Sequence, residues 1–425
     1  MIYVLLLFGL LIFGTPIAVA LIAVGVSYVV FTIEMDTLIA AQRVATGIDS
    51  FPLLAIPFFM LAAELMNAAG ITDRIFRLAK AMVGAMPGGL AHVNVLASML
   101  FAGMSGSAVA DAAGLGRIEI KAMRDDGYDP DFAAAVTAAS STIGPIIPPS
   151  ISAVIYGLTA GVSIGGLFAA GFIPGVLMGL SMMILIGFYS VRRDYGRGQS
   201  FSFRELATAF IDSFLALMTP VIIVGGILGG IFTPTEAGAF AVLYAFILGK
   251  FVYRTIAWSD IPELIFNTAL SAGNILFIIA ATALIGWILT AQQVPLHMAA
   301  AVVDLSASPW MLLLLLNGLL LVLGCFMASH PVIIMLTPIL VPTATAMGID
   351  PIHLGVIIVL NLMIGLITPP VGLCLYVVAE IVDLPVLRVV KALLPFFIPL
   401  LTVLLLTTFV PSIVMWLPKM LGFAG

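Results

Sequence analysis

The chain has 425 residues, of which 62% are hydrophobic and only 9% charged, with a mean hydropathy of +1.25. That leaves too little polar surface to cover a soluble globule, and apolar runs long enough to cross a bilayer recur throughout, so the sequence specifies an all-α polytopic membrane protein. The net charge of −5 is spread over short loops, with no basic block for nucleic acid and no acidic tail. Cys325 and Cys374, the two cysteines, sit in apolar surroundings and read as small packing residues rather than a disulfide or a metal pair.

Residues 2 to 33 exceed one upright span of about 20 residues and suit two short ones broken at Gly14-Thr15-Pro16. Met1 to Thr32 lacks a basic start and is too long for the apolar core of a leader, and Thr15-Pro16 recurs as Thr233-Pro234, so the segment is expected to stay in the mature protein. A span at 51 to 69 follows. In Ile71 to Met86, Arg74, Arg77 and Lys80 recur at helical spacing beside Ile75, Leu78 and Ala79, which suits a helix lying in the interface. Leu90 to Met123 is too long for one span and is interrupted at Met104 to Ser107; it reads as a re-entrant hairpin that enters and leaves on one side. A broken span at 130 to 157 and a plain span at 166 to 190 complete a first unit, 1-193. A hydrophilic linker, 194-210, leads to a second unit, 211-425. There the spans are 214 to 249 and about 272 to 291, followed by a hairpin at 310 to 342, a broken span at 352 to 380 and a final span at 393 to 417.

The two units are copies. Aligned without a gap, Gly324 falls under Gly103, Gly348-Ile349-Asp350-Pro351 under Gly127-Tyr128-Asp129-Pro130, Gly365 under Gly144, and Pro369-Pro370 under Pro148-Pro149. Each copy pairs a small-residue turn inside an apolar segment with a helix break rich in glycine and proline. Proline donates no backbone hydrogen bond and glycine tolerates left-handed geometry, so amides and carbonyls come free at those breaks. In hydrocarbon such groups survive only where they line a cavity or bind something, and a duplicated pair of interrupted segments points to a secondary transporter. Arg74, Arg77, Lys80, Arg117, Lys121 and Arg124 flank the first hairpin, whereas no lysine or arginine occurs between Arg254 and Arg388. Under the positive-inside rule the first hairpin opens to the cytoplasm and the second to the outside, so the repeats are expected to be inverted, each with five spans.

The runs SGSAVADAAGLG (105 to 116), GPIIPPS (144 to 150), FTPTEAGA (232 to 239) and GLITPPVG (365 to 372) resemble the large membrane (M) subunit of tripartite ATP-independent periplasmic (TRAP) transporters, across essentially the whole chain. The resemblance implies an elevator-type ion transporter fold in the bacterial inner membrane. It further implies a small four-helix membrane (Q) subunit, a periplasmic substrate-binding (P) protein, an organic anion as substrate and Na+ as coupling ion. The two repeats are expected to use up the 425 residues, so the small subunit is expected as a separate chain. In the second hairpin Ala328, followed by Ser329 and His330, stands where that family commonly has an acidic residue. A self-sufficient elevator-type anion/sodium symporter with the same internal architecture is the alternative.

Sodium needs several oxygen ligands, which a broken helix supplies from carbonyls and from Ser, Thr and Asn side chains. The first candidate sodium pool is Ser105, Ser107, Ser140, Ser141, Thr142 and Gly144; the second is Gly324, Ser329, Asn361, Gly365 and Thr368. Close packing of small residues would account for such positions as well. The substrate is expected between the hairpin tips and the breaks, where half-helix N-termini face an anion, with Ser105, Ser107, Asp111, Thr142, Ser329, His330 and Asn361 as contacts. Asp111, about one turn past the first tip, is expected either to cap the helix start or to balance bound sodium. No nucleophile, zinc or phosphate-loop motif is present, so no catalytic residue is assigned and the chain is expected not to be an enzyme.

Overall fold

The computed structural model describes residues 2–192, 195, 201–294 and 309–423, and its regular elements are helices. The boundary at 193 and 194, most of the first half of the linker, and residues 295–308, where the second unit's interfacial helix would fall, lie outside the described residues. Eight of the described helices are long and apolar enough to cross a membrane by length and composition.

Helices α1 (Ile2–Ile12) and α2 (Ile17–Phe31) separate at the expected break, where Gly14 is left-handed at φ 80° and Pro16 cannot continue the first helix. Tyr3 packs edge-on against Tyr28, so the pair folds back as a hairpin. After α3 (Thr37–Thr46) come the span α4 (Phe51–Ala68) and the amphipathic α5 (Ile71–Val83), whose Ile71, Ile75, Leu78 and Ala79 are buried. The first hairpin is α6 (Gly89–Ser105) with a return arm of α7 (Ala108–Ala113) and α8 (Leu115–Asp125). The broken span is α9 (Pro130–Ser141) and α10 (Ile151–Ala160), and α11 (Ile164–Arg192) follows.

In the second half, α12 (Phe203–Leu228), α13 (Pro234–Val252) and α14 (Ile261–Ala291) precede the hairpin of α15 (Pro309–Phe326) and α16 (Ser329–Ala346). The broken span is α17 (Pro351–Gly365) and α18 (Leu373–Val382), then α19 (Val386–Phe409) and α20 (Pro411–Met420). Three boundaries differ from the sequence reading. The linker region is already helical from Phe203, where Ser202 caps by accepting from the Glu205 amide, and α14 starts at Ile261 rather than near 272. Hydropathy registers only the part of a helix in hydrocarbon, so its polar extension passed unnoticed. The final span runs from 386 and stops at Phe409, because Pro411 removes a donor and pushes Val410 to φ −122°, ψ 77°, outside helical geometry.

Both broken spans are built alike. Proline opens α9 and α17 at the first helical position, and Asp350 caps α17 by accepting from the Ile352 amide at 2.7 Å. Each loop contains a cis Pro-Pro bond, Pro148-Pro149 and Pro369-Pro370. Ser150 restarts the chain as α10 by accepting from the Ala153 amide at 3.1 Å.

The halves interlock. The return arm α7 lies on α18, and α16 lies on α10. The fully buried Tyr156 of α10 donates to the Pro351 carbonyl at 2.7 Å, and its ring occupies the space a side chain at Gly355 would need. Tyr156→Phe, which removes that one bond, is expected to cost about 1 kcal/mol and lower the melting temperature by about 2–4 °C, read by thermal unfolding in detergent.

Helix α19 ties the two breaks together. Arg388 near its start pairs with Asp131 of α9 at 3.3 Å, and near its end the Thr407 carbonyl meets Nε2 of His353 on α17 at 2.8 Å. With 24 residues, α19 spans about 36 Å at 1.5 Å per residue, so α9 and α17 start from opposite ends of it.

Candidate functional site

Each hairpin tip is seated on its own break. At the first tip Gly106 is left-handed at φ 57°, and a Cβ there would lie 2.9 Å from the Pro149 carbonyl oxygen and 3.2 Å from the Ile151 amide nitrogen. Only glycine allows both that conformation and that approach. Ser107 caps α7 by accepting from the Ala110 amide, and its carbonyl lies 3.6 Å from where a Gly144 Cβ would be. The folded chain therefore brings Ser107 and Gly144 of the first pool together, with Ser105 at the same tip but beside Phe59, Met66 and Thr219. Ser105 is buried and its hydroxyl has no hydrogen-bond partner among the described residues. The free space beside it is about 10 Å³, room for an ion or one water and not for an organic acid.

The other hydroxyls of that pool are occupied. Ser141 donates to the Ala138 carbonyl at 2.9 Å and Thr142 to the Ala139 carbonyl at 2.6 Å. Ser140 donates to Asn94 Oδ1 at 2.7 Å and accepts from Ser98 at 3.1 Å, while Asn94 donates to Thr137 Oγ1 at 2.7 Å. This buried polar chain pins α6 against α9. Asn94 and Ser98 escaped the sequence reading, although two polar residues one helical turn apart in an apolar segment are the signal that marks them.

At the second tip the Cys325 carbonyl accepts from the amides of Val371 at 3.2 Å and Gly372 at 3.4 Å, so the break loop holds the hairpin end. Gly324 and Gly365 meet backbone to backbone: a Cβ at Gly365 would lie 2.5 Å from Gly324 Cα. Asn361, fully buried one turn earlier, donates to Asn317 Oδ1 at 2.7 Å, and Asn317 donates to Thr408 Oγ1 at 3.1 Å. The Asn361 side-chain oxygen, Oδ1, is left without a partner among the described residues. Thr368 donates back to the Ile364 carbonyl at 2.7 Å. Buried Ser329 and half-buried His330 open α16, and no hydrogen bond among the described residues joins them to Asn361 or Thr368. Helix α18, which begins beside Cys374, packs on α9 and α7, which places the second break against the first.

Asp111 is 1% exposed and neither carboxylate oxygen accepts a hydrogen bond among the described residues, so it does not cap α7. Glu119 of α8 is equally buried and equally without a partner. Its position is legible in hindsight: Leu115, Glu119 and Met123 form one buried i, i+4 row, whereas Arg117, Lys121 and Arg124 point outward. Two such carboxylates are expensive in an apolar interior. Cys325 and Cys374 are both free and buried, as the sequence suggested.

The matched breaks and seated tips bring buried polar groups together around a space of about 10 Å³, and no cluster of metal-binding side chains occurs among the described residues. Residues 4–413 match the family described as tripartite ATP-independent periplasmic transporter, DctM component. This chain belongs to that family of TRAP transporter large permeases. The chain is 46% identical over 416 residues to the sialic acid TRAP transporter large permease protein SiaM of Vibrio cholerae, covering 98% of this chain and 97% of the relative. It is 38% identical to the 2,3-diketo-L-gulonate TRAP transporter large permease protein YiaN of Escherichia coli, over 96% of both chains. To the C4-dicarboxylate TRAP transporter large permease protein DctM of Pseudomonas aeruginosa it is 41% identical over 88% of both. Among solved structures the YdaH transporter of Alcanivorax borkumensis superposes with a TM-score of 0.64 at 15% identity, over 89% of this chain and 87% of that one, which is a likeness of fold. As a DctM-family member the chain is a transport permease and not an enzyme.

Proposed function

We propose that this permease carries a small organic anion across the bacterial inner membrane in symport with sodium, as the large subunit of a TRAP transporter fed by a periplasmic binding protein and completed by a small membrane subunit. The observation that carries the reading is the matched pair of helix breaks, each with a hairpin tip seated on it, in one chain. The relatives named for sialic acid, diketogulonate and C4-dicarboxylates support an organic acid as cargo. The Ser105 hydroxyl, unpartnered among the described residues, and the Ser107 and Gly144 carbonyls are the candidates for the first cation position; Asn361 Oδ1, one turn before the Gly324–Gly365 contact, is the candidate for the second. That α9 and α17 begin at opposite ends of α19 supports inverted repeats. In an elevator, the hairpins and broken spans travel together. The remaining spans form the scaffold they travel against.

The test is uptake into proteoliposomes with a sodium gradient and a panel of organic acids, with and without the small subunit and binding protein. The large subunit alone is expected to be silent; robust uptake by it alone would favour a self-sufficient symporter. Ser105→Ala with Ser107→Ala is expected to raise the sodium concentration for half-maximal uptake by about tenfold, the weight of roughly 1.4 kcal/mol of lost coordination, with membrane yield intact. An unchanged sodium dependence would remove both residues from the site.

A further inference from the structure

A large cavity lies away from the hairpin tips. It holds about 870 Å³ where the starts of α15 and α17 meet α20, at the end of α19 opposite Arg388. Two of the chain's four tryptophans, Trp310 and Trp416, stand on its walls, both partly open to the surroundings, and Leu313 and Met415 provide buried apolar wall. Tryptophans gather at the depth where headgroups give way to acyl chains, and helix ends mark that depth here as well. Lys419 and Asp350 also line the cavity. They carry opposite charges, yet neither forms an ion pair within 4.0 Å among the described residues. The Asp350 carboxylate is held in place by the Ile352 amide, so it cannot swing across to the lysine without giving up the α17 cap.

An interfacial cavity with a fixed anion, a lysine unpaired among the described residues and aromatic walls is complementary to an amphiphile that carries both charges. We propose that it seats one molecule of an aminophospholipid of the phosphatidylethanolamine class, with the phosphate at Lys419, the ammonium at Asp350 and the first part of the acyl chains between Trp310 and Trp416. A phosphatidylglycerol would satisfy Lys419 and leave Asp350 facing an anionic headgroup. A phosphatidylcholine would bring a cation with no N–H to donate to the carboxylate.

The experiment is native mass spectrometry of the intact transporter complex purified in mild detergent, with phosphatidylethanolamine, phosphatidylglycerol and phosphatidylcholine added in competition. One phosphatidylethanolamine per large subunit is expected to be retained. Lys419→Gln is expected to lower that retention by about fivefold or more, roughly the weight of a half-exposed charge-assisted contact. Asp350→Asn keeps the helix cap, because asparagine caps as well as aspartate, and is expected to abolish the preference over phosphatidylglycerol. Retention of no lipid, equal retention of all three, a preference for phosphatidylglycerol, or wild-type retention by both variants would each overturn the proposal.

Discussion

Joining Gly103 to Pro220 through a disulfide is expected to cut uptake at least about tenfold, with full recovery on reduction, if the hairpin body moves against a fixed scaffold. A Cβ at Gly103 of α6 would lie 2.9 Å from Pro220 Cβ on α12, so a cysteine pair needs only a slight separation of the two helices to reach the usual spacing of about 3.8 Å. Helix α6 belongs to the proposed moving body and α12 to the scaffold, and a covalent link at mid-helix forbids sliding between them. The matched control is Phe58→Cys with Gly238→Cys. A Cβ at Gly238 lies 2.9 Å from Phe58 Cβ, but both residues sit on scaffold helices, α4 and α13. Oxidising that pair should leave uptake near the reduced level. Undiminished uptake with Gly103 and Pro220 linked would replace the elevator by a local gate.

Gly365→Ala is expected to reduce uptake about a hundredfold, the scale of a displacement near 1 Å at a reacting or binding centre. The new methyl would meet Gly324 Cα at 2.5 Å and its carbonyl carbon at 2.6 Å, and backbone cannot rotate out of the way as a side chain can. The second tip must then retreat from its break, loosening the Cys325 carbonyl from Val371 and Gly372. The positional counterpart in the first half behaves differently. A methyl at Gly144 would meet the Ser141 and Ser107 carbonyl oxygens at 3.3 and 3.6 Å, contacts that need at most a small adjustment. Gly144→Ala is therefore expected to keep most of its uptake. Equal losses in the two variants, measured beside their membrane yields, would contradict the backbone-contact argument.

The fold was legible where backbone chemistry is written into residue type. Gly14 and Pro16, Ser105 to Ser107, Gly144 to Pro149 and Gly365 to Pro370 each interrupt a helix within a residue or two of where the sequence placed it, because glycine and proline act locally. What escaped depends on packing. Whether Ser140 faces sodium or Asn94 cannot be decided from a serine after an alanine-rich run; the answer lies in α6, nearly fifty residues earlier. Asp111 looked equally suited to capping and to charge balance, and the cap fails only because no amide among the described residues donates to its oxygens, a matter of orientation that residue type does not fix. The final span, α19, was placed too far along the chain because apolar content continues past Phe409, while the stop is set by a single proline at 411.

The shortness of α1 and α2 has a mechanical consequence for the surrounding lipid. Their 11 and 15 residues extend only about 16 and 22 Å, against roughly 30 Å of hydrocarbon. Where such arms face the bilayer, the headgroup boundary must dip toward them, and each ångström of mismatch costs a fraction of a kcal/mol. A dimple on that flank brings the two aqueous phases closer together beside the scaffold. Lipids with shorter chains should relax that deformation, and lipids with longer chains should increase it.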